Sequence, residues 1–302
     1  MAHQHEHHHH AHIQDMQKVN KAFIVGIVLN TIFVGVEAAA GFWFDSLALL
    51  SDAGHNLSDV VSLILAMLAF RLMRVKPNDK YTYGYKKSTV LVSLLNAIIL
   101  LVAVGMILGE SINKIRNPQP VDGNAIAWVA GVGIVINAFT ALLLFREKGQ
   151  DLNVKGAYLH MAADTLVSVG VLVSGLIIQH TGWYLIDPLI GIIVAIVILV
   201  STWGLLHDSI RLSLDGVPVG IDVERVKKTI LKNPLVKGVH HMHIWALSTT
   251  ENALTAHVVV DSAKDMENLK CELKHELKEE NIQHATLEIE LKGAHCDGTC
   301  CE

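Results

Sequence analysis

Six long apolar runs, at roughly 20–44, 47–73, 88–110, 123–145, 157–180 and 184–206, limit what this chain can fold into more than any other feature. A helix needs about 20 apolar residues to cross a ~30 Å hydrocarbon core. Inside that core only helices and closed barrels satisfy their own backbone hydrogen bonds. The runs therefore predict six transmembrane helices. Composition agrees, with 51% of the 302 residues hydrophobic and only 18% charged, less charge than a soluble domain carries. From about 213 onward the chain turns rich in Lys and Glu and has no such run, so a separate soluble domain is expected there.

The short loops orient the bundle. The 2–3 loop holds Arg71, Arg74, Lys76, Lys80, Lys86 and Lys87, and the 4–5 loop holds Arg146, Lys148 and Lys155. The 1–2 and 5–6 loops hold none, and Lys114 with Arg116 in the 3–4 loop is a weaker contrary signal. Both termini are thus expected in the cytoplasm. The first run is too long for the core of a cleaved signal, so none is expected. Cys271, Cys296, Cys300 and Cys301 all fall in the soluble part, on the reducing side, and read as thiols or metal ligands rather than disulfides. No basic patch with interleaved aromatics is present, so nucleic acid is not an expected partner; membrane lipid is.

A charged group at mid-bilayer costs at least ~2.5–3.5 kcal/mol on insertion scales and persists when it faces the bundle interior with a partner. The second run carries His55 and Asp59, four residues apart and so on one helical face. The fifth repeats the spacing with His160 and Asp164. Two imidazoles and two carboxylates on two helices can close a tetrahedral shell of the kind zinc takes. Pairs that only hydrogen-bond within each helix, or a metal-free proton relay, are the other readings. Asp52, one turn before His55, reads as a ligand, a relay or a water-exposed residue at the helix start. Glu37 in the first run lines the outer vestibule, snorkels or pairs with a hydroxyl. Asn30, Asn96 and Asn137 read as interhelical hydrogen-bond donors and acceptors.

The segments DSLALLSDAGHNLSD, YTYGYKK, HMAADTLVSVG, DPLIG and VHHMHIWALS span nearly the whole chain. In them the chain resembles the cation diffusion facilitator family, in particular its zinc-transporting branch. The resemblance implies a homodimeric metal/proton antiporter with a cytoplasmic metallochaperone-like, ferredoxin-like domain. It places the transport site on His55, Asp59, His160 and Asp164. His55, where some relatives have Asp, goes with zinc over cadmium, and His160 argues against the manganese branch. Some relatives bind a further metal in the 2–3 loop through His and Asp; this loop has no His, so no such site is expected. The 4–5 loop lacks the His tract of vesicular relatives.

In the soluble part, 222–232 and 264–279 read as amphipathic helices, and GVHHMHIWALS, ALTAHVVVDS and HATLEIEL as strands, an α-β-β-α-β order. The resemblance makes His240, His257, His284 and Glu290 candidates for a zinc pair site; surface histidines without metal are the alternative. The tail offers His295, Cys296, Cys300 and Cys301, a soft set that suits zinc, unless it is a non-binding tail. The tract MAHQHEHHHHAH reads as a low-affinity metal collector or a purification tag. Lys87 and Asp215 lie at the cytoplasmic ends of helices 3 and 6, and the resemblance implies that they pair there, near the dimer hinge.

The expected architecture is membrane α-helical, six transmembrane helices followed by a cytoplasmic α+β ferredoxin-like domain. The domains are a His-rich segment at 1–19, the membrane domain at 20–212, the cytoplasmic domain at 213–291 and the metal-binding tail at 292–302. Neutral His and ionised Asp hold metal, so zinc and protons compete for the same side chains. That competition reads as zinc export against protons and not as an enzyme; the resemblance implies a homodimer, and the short 4–5 loop and compact termini favour a bacterial plasma membrane. A membrane-bound zinc sensor working through its cytoplasmic domain, or an intramembrane metallohydrolase, are the competing functions. None of the six apolar runs holds an H-E-x-x-H for the latter.

Overall fold

The apolar runs fold as helices in the computed structural model, which describes residues 5–43, 47–117, 124–145, 151–183, 185–262 and 264–293; within these, the side chains of 5–20, 41, 47–52, 55, 58, 124–130 and a few positions of the fifth and sixth helices lie outside the description. The helical bundle comprises α1 (His5–Trp43), α2 (Leu47–Met73), α3 (Ser88–Arg116), α4 (Asn124–Phe145), α5 (Leu152–Thr181) and α6 (Ile186–Ser213). Helix α1 starts well before its apolar run, because nothing between 5 and 19 is Gly or Pro to stop it. Helix α6 likewise runs past 206 through a polar stretch and ends before Gly216 and Pro218.

Outward faces of these helices are apolar, with Val36, Met106, Leu142 and Val200 all more than half exposed. Among the described residues, Lys21–Ala40, Ser88–Arg116 and Pro188–Ser213 are long and apolar enough to cross a membrane, and Gly131–Phe145 is a shorter apolar helix. Helix α5 occupies the centre, packed against α2, α3, α4 and α6. One seam joins α1, α2, α4 and α5 through Phe23, Leu63, Phe70, Leu144 and Met161. The other joins α3, α5 and α6 through Ala97, Leu100, Ala163, Ala195 and Leu205. Small residues let the helices close up: a Cβ on Gly26 would lie 2.7 Å from Thr140, and one on Gly191 would lie 2.5 Å from Ser111.

The 2–3 connection is ordered by its own chemistry. Asn78 Oδ1 accepts from the backbone N–H of Lys80 and Tyr81, each at 3.0 Å. Gly84 takes φ +70° where a Cβ would meet the Val75 carbonyl at 2.9 Å.

Beyond the bundle come α7 (Val223–Leu231), β1 (Val236–Ala246), β2 (Asn252–Val260), α8 (Met266–Glu279) and β3 (His284–Leu291). The sheet order is β1-β2-β3, with β1 antiparallel and β3 parallel to β2, so α8 is the crossover. Asp222 caps α7 by accepting from Glu224 N and Arg225 N. Leu269, Leu273 and Leu277, one turn apart on α8, bury against Leu254, Ala256, Val258 and Val260, alternating or nearby on β2.

The two parts meet at the start of α3 and the end of α6. Lys87 Nζ donates to Asp215 Oδ1 at 2.5 Å, to the Leu212 carbonyl at 2.9 Å and to the Ala246 carbonyl at 3.0 Å. The expected Lys87–Asp215 pair is therefore formed, and the same ammonium also reaches β1.

Candidate metal centre

Helices α2 and α5 cross where each presents an acid to the other. Asp59 is fully buried and His160 nearly so. His160 Nε2 lies 2.6 Å from Asp59 Oδ1 and 3.8 Å from Asp164 Oδ2. One ligand atom from each of Asp59, His160 and Asp164 falls within 4.8 Å of the others. The i, i+4 spacing on α5 stacks His160 and Asp164 on one face, as the sequence predicts. His55 lies on α2 four residues before Asp59 and Asp52 lies one turn earlier; both side chains are outside the described residues.

This set suits a divalent cation. Imidazole nitrogen and carboxylate oxygen are donors that zinc accepts in a four-coordinate shell. Buried carboxylates also need a compensating charge or hydrogen bonds, and here an imidazole supplies the bond.

Glu37 is buried to 1% exposure and does not snorkel. Its Oε2 accepts from Asn56 Nδ2 at 2.7 Å, tying α1 to the α2 residue next to His55. Asn56 is a site neighbour the sequence reading missed; a single amide in an apolar helix carries no spacing signal. Asn30 bridges helices as expected, donating to Thr140 Oγ1 at 3.4 Å on α4 and to the Gly26 carbonyl at 2.9 Å. Asn96 is expected to do the same, yet both of its side-chain polar atoms lack a hydrogen-bond partner among the described residues.

The three-stranded sheet builds a second cluster. His240 and His257 are directly opposed across β1 and β2. The Glu290 carboxylate contacts His257 Nδ1 and lies 3.4 Å from His240 Nε2. His240, His257 and Glu290 each bring a ligand atom within 4.8 Å of the others. Glu288 stands 3.5 Å from His257 Nε2.

The structure does not bring His284 to this cluster. The parallel register sets His284 against Ala253 and Glu288 against His257. His284 is thus at the far end of the strand, about 13 Å away at the usual rise, and its ring meets Tyr83 edge-on at 5.3 Å. His241 stands nearby instead, outside the set of three converging ligand atoms. A register irregularity between His240 and His243, with His241 at φ +49°, interrupts the alternation of β1. Its ring comes 5.2 Å from that of His257, the same separation as His240. Neighbouring strand residues should face opposite ways, so only the bulge accounts for this. His295, Cys296, Cys300 and Cys301 lie outside the described residues, as do the side chains of the N-terminal His tract; Cys271 is an exposed free thiol on α8.

Comparison with known proteins covers both parts. Residues 23–212 match the model of the cation efflux transmembrane domain. Residues 218–292 match that of the cation efflux protein cytoplasmic domain. The chain is 36% identical over 298 residues to the zinc transporter ZitB of Escherichia coli (strain K12), covering 98% of this chain and 94% of that one. It is 36% identical over 282 residues to the cadmium, cobalt and zinc/H(+)-K(+) antiporter of Bacillus subtilis (strain 168), covering 92% and 91%. It is 37% identical over 270 residues to the metal cation efflux system protein CzcD of Cupriavidus metallidurans, covering 88% and 85%.

Proposed function

The chain belongs to the cation diffusion facilitator family, in its zinc-transporting branch, and from that premise we propose that it exports Zn2+ from the cytoplasm in exchange for protons. It is an integral membrane protein of metal cation efflux. The observation that carries the finer reading is the convergence of Asp59, His160 and Asp164 across α2 and α5. With His55 from the next turn of α2 they make the two-His two-Asp transport site. The protein works as a homodimer in a bacterial inner membrane, with six spans, α1–α6, and cytoplasmic termini. It transports rather than catalyses.

The proposed cycle follows from charge. Two carboxylates and one Zn2+ leave the buried site without net charge. A metal-free site approaches neutrality by taking up protons, so burial favours either cargo over an empty, ionised site. Zinc from the cytoplasm displaces protons and breaks the His160–Asp59 hydrogen bond, since the same lone pairs face the metal. Rocking of the helices then exposes the site to the other side, where protons displace the zinc. Turnover requires moderate affinity, unlike the tight binding of structural zinc.

We assign the remaining segments the same way: 1–19 as a His-rich segment, 20–212 as the membrane domain, 213–291 as the cytoplasmic domain and 292–302 as a metal-binding tail. His240, His257 and Glu290 form the cytoplasmic zinc cluster. The test is zinc uptake by reconstituted vesicles under an imposed pH gradient. Gradient-driven uptake supports export; zinc binding with no flux in either direction would move the function to a membrane-bound sensor.

A further inference from the structure

One turn of the cytoplasmic domain touches the membrane helices on two sides. Residues 246–251 join β1 to β2, and Ser248 stiffens the turn by accepting from Thr250 N at 3.1 Å and Glu251 N at 2.9 Å. On one side Thr249 N donates to Thr89 Oγ1 of α3 at 3.0 Å, and Lys86 pairs with Glu251 at 2.5 Å. On the other side the Thr249 hydroxyl donates to Asp151 Oδ2.

Asp151 is the residue before α5, and its other oxygen caps that helix. Oδ1 accepts from Asn153 N at 2.6 Å and from Val154 N at 3.4 Å, two of the donors a helix start leaves unpaired. One buried carboxylate thus holds the start of the helix that carries His160 and Asp164, and holds the hairpin whose far end carries His240 and His257. His160 is nine residues along α5, about 13 Å. The His240 end of the hairpin is about 20 Å from the turn at the usual strand rise.

We propose that Asp151 is a positioning residue that couples the metal state of the cytoplasmic cluster to helix α5, through the Thr249 hydroxyl. The proposal rests on the transport reading above. An anchor alone needs no such device. The turn is already fixed to α3, and an acid placed at 7% exposure costs more than a neutral or apolar contact would. Burial also holds the Asp151 carboxyl above its ordinary range, so the contact is sensitive to what surrounds it. The route is a contiguous one: strand pair, stiff turn, hydroxyl, carboxylate, helix start.

The experiment is a double-mutant cycle on the full chain in proteoliposomes, measuring zinc flux against zinc concentration under a fixed pH gradient. His257→Ala removes the cytoplasmic cluster and Thr249→Val removes the hydroxyl while leaving the α5 cap intact. Each single change is expected to raise the half-saturating zinc concentration or lower the maximal rate by about threefold to tenfold. The double variant is expected to be no worse than the poorer single one, and Thr249→Ser is expected to restore native flux. If Thr249→Val does not reach the membrane folded, Thr249→Ala replaces it, since it too removes the hydroxyl and leaves the Asp151 cap of α5 intact. Effects that multiply in the double variant, or native flux in either single one, would overturn the coupling. Absence of gradient-driven flux in the native chain would instead sink the transport reading beneath it.

Discussion

His160 Nε2 on α5 stands 2.6 Å from Asp59 Oδ1 on α2, a bond across the centre of the bundle between groups separated by 101 residues of sequence. It joins the two helices where the three proposed ligands converge. On the transport reading a bound zinc would draw on the same lone pairs, so its entry would have to part these two side chains.

His160→Ala is expected to destabilise the bundle by about 3 kcal/mol, because it removes the ring that the buried Asp59 carboxylate bonds. Asp59→Asn in the same chain should recover part of that loss, since a neutral amide is cheaper to bury than a carboxylate. Thermal unfolding of the detergent-solubilised protein measures both. A double variant less stable than His160→Ala would show that the pair is not the stabilising unit.

Glu37 and Asn56 should behave as a coupled pair. Their 2.7 Å bond is buried between α1 and α2, and losing one partner costs about 1–3 kcal/mol while losing both together costs less than the sum. Unfolding midpoints of Glu37→Ala, Asn56→Ala and the double variant give the coupling directly. Strictly additive losses would mean that the two side chains act separately.

The cytoplasmic cluster predicts a division among histidines that lie in one sheet. His257→Ala should remove zinc from the cytoplasmic domain, because this ring faces His240 on one strand and Glu290 on the other. His284→Ala should leave that zinc in place, since its ring packs on Tyr83. Zinc content by equilibrium dialysis, with Asp164→Ala as the background to empty the membrane site, separates the two. Equal losses would return His284 to the cluster.

Asp151 gives stability a definite pH trend. Burial raises its pKa above the ordinary 3.8, more than the bonds from Thr249 and the Asn153 backbone lower it. Its folded form thus holds a proton that the unfolded chain has already released. That contribution is fully present below the ordinary value and is lost as pH rises through the raised one. The stability of the native chain relative to Asp151→Asn should therefore fall as pH climbs from about 4 toward neutrality. Parallel unfolding measurements across that range test it; an advantage that grew with pH would mean an ionised, well-solvated aspartate.

The part of the site that repeats a helical spacing was legible in the sequence. His160 and Asp164 share a face because α5 has a fixed pitch, and two such pairs in apolar helices are unlike ordinary core residues. What depended on register was not legible. Whether His284 or Glu288 faces His257 turns on how α8 returns β3 beside β2, and no local pattern fixes that crossover. His241 reaches His257 only through an irregularity in β1. The Asp151–Thr249 bond joins residues 98 apart in different parts of the molecule, and neither side chain looks unusual in its own segment. The start of α1 at His5 lies outside any apolar pattern, because hydropathy bounds only the apolar stretch of a helix while the absence of Gly and Pro lets it run on.

The most direct test of the account is a paired measurement on reconstituted vesicles, recording zinc entry and proton exit together under an imposed pH gradient, for the native chain and for Asp164→Ala. The account predicts that the native chain couples the two flows and that Asp164→Ala, inserted and folded, carries neither. Equal coupled flux in both would contradict it, because the path of the metal would then not pass through Asp59, His160 and Asp164.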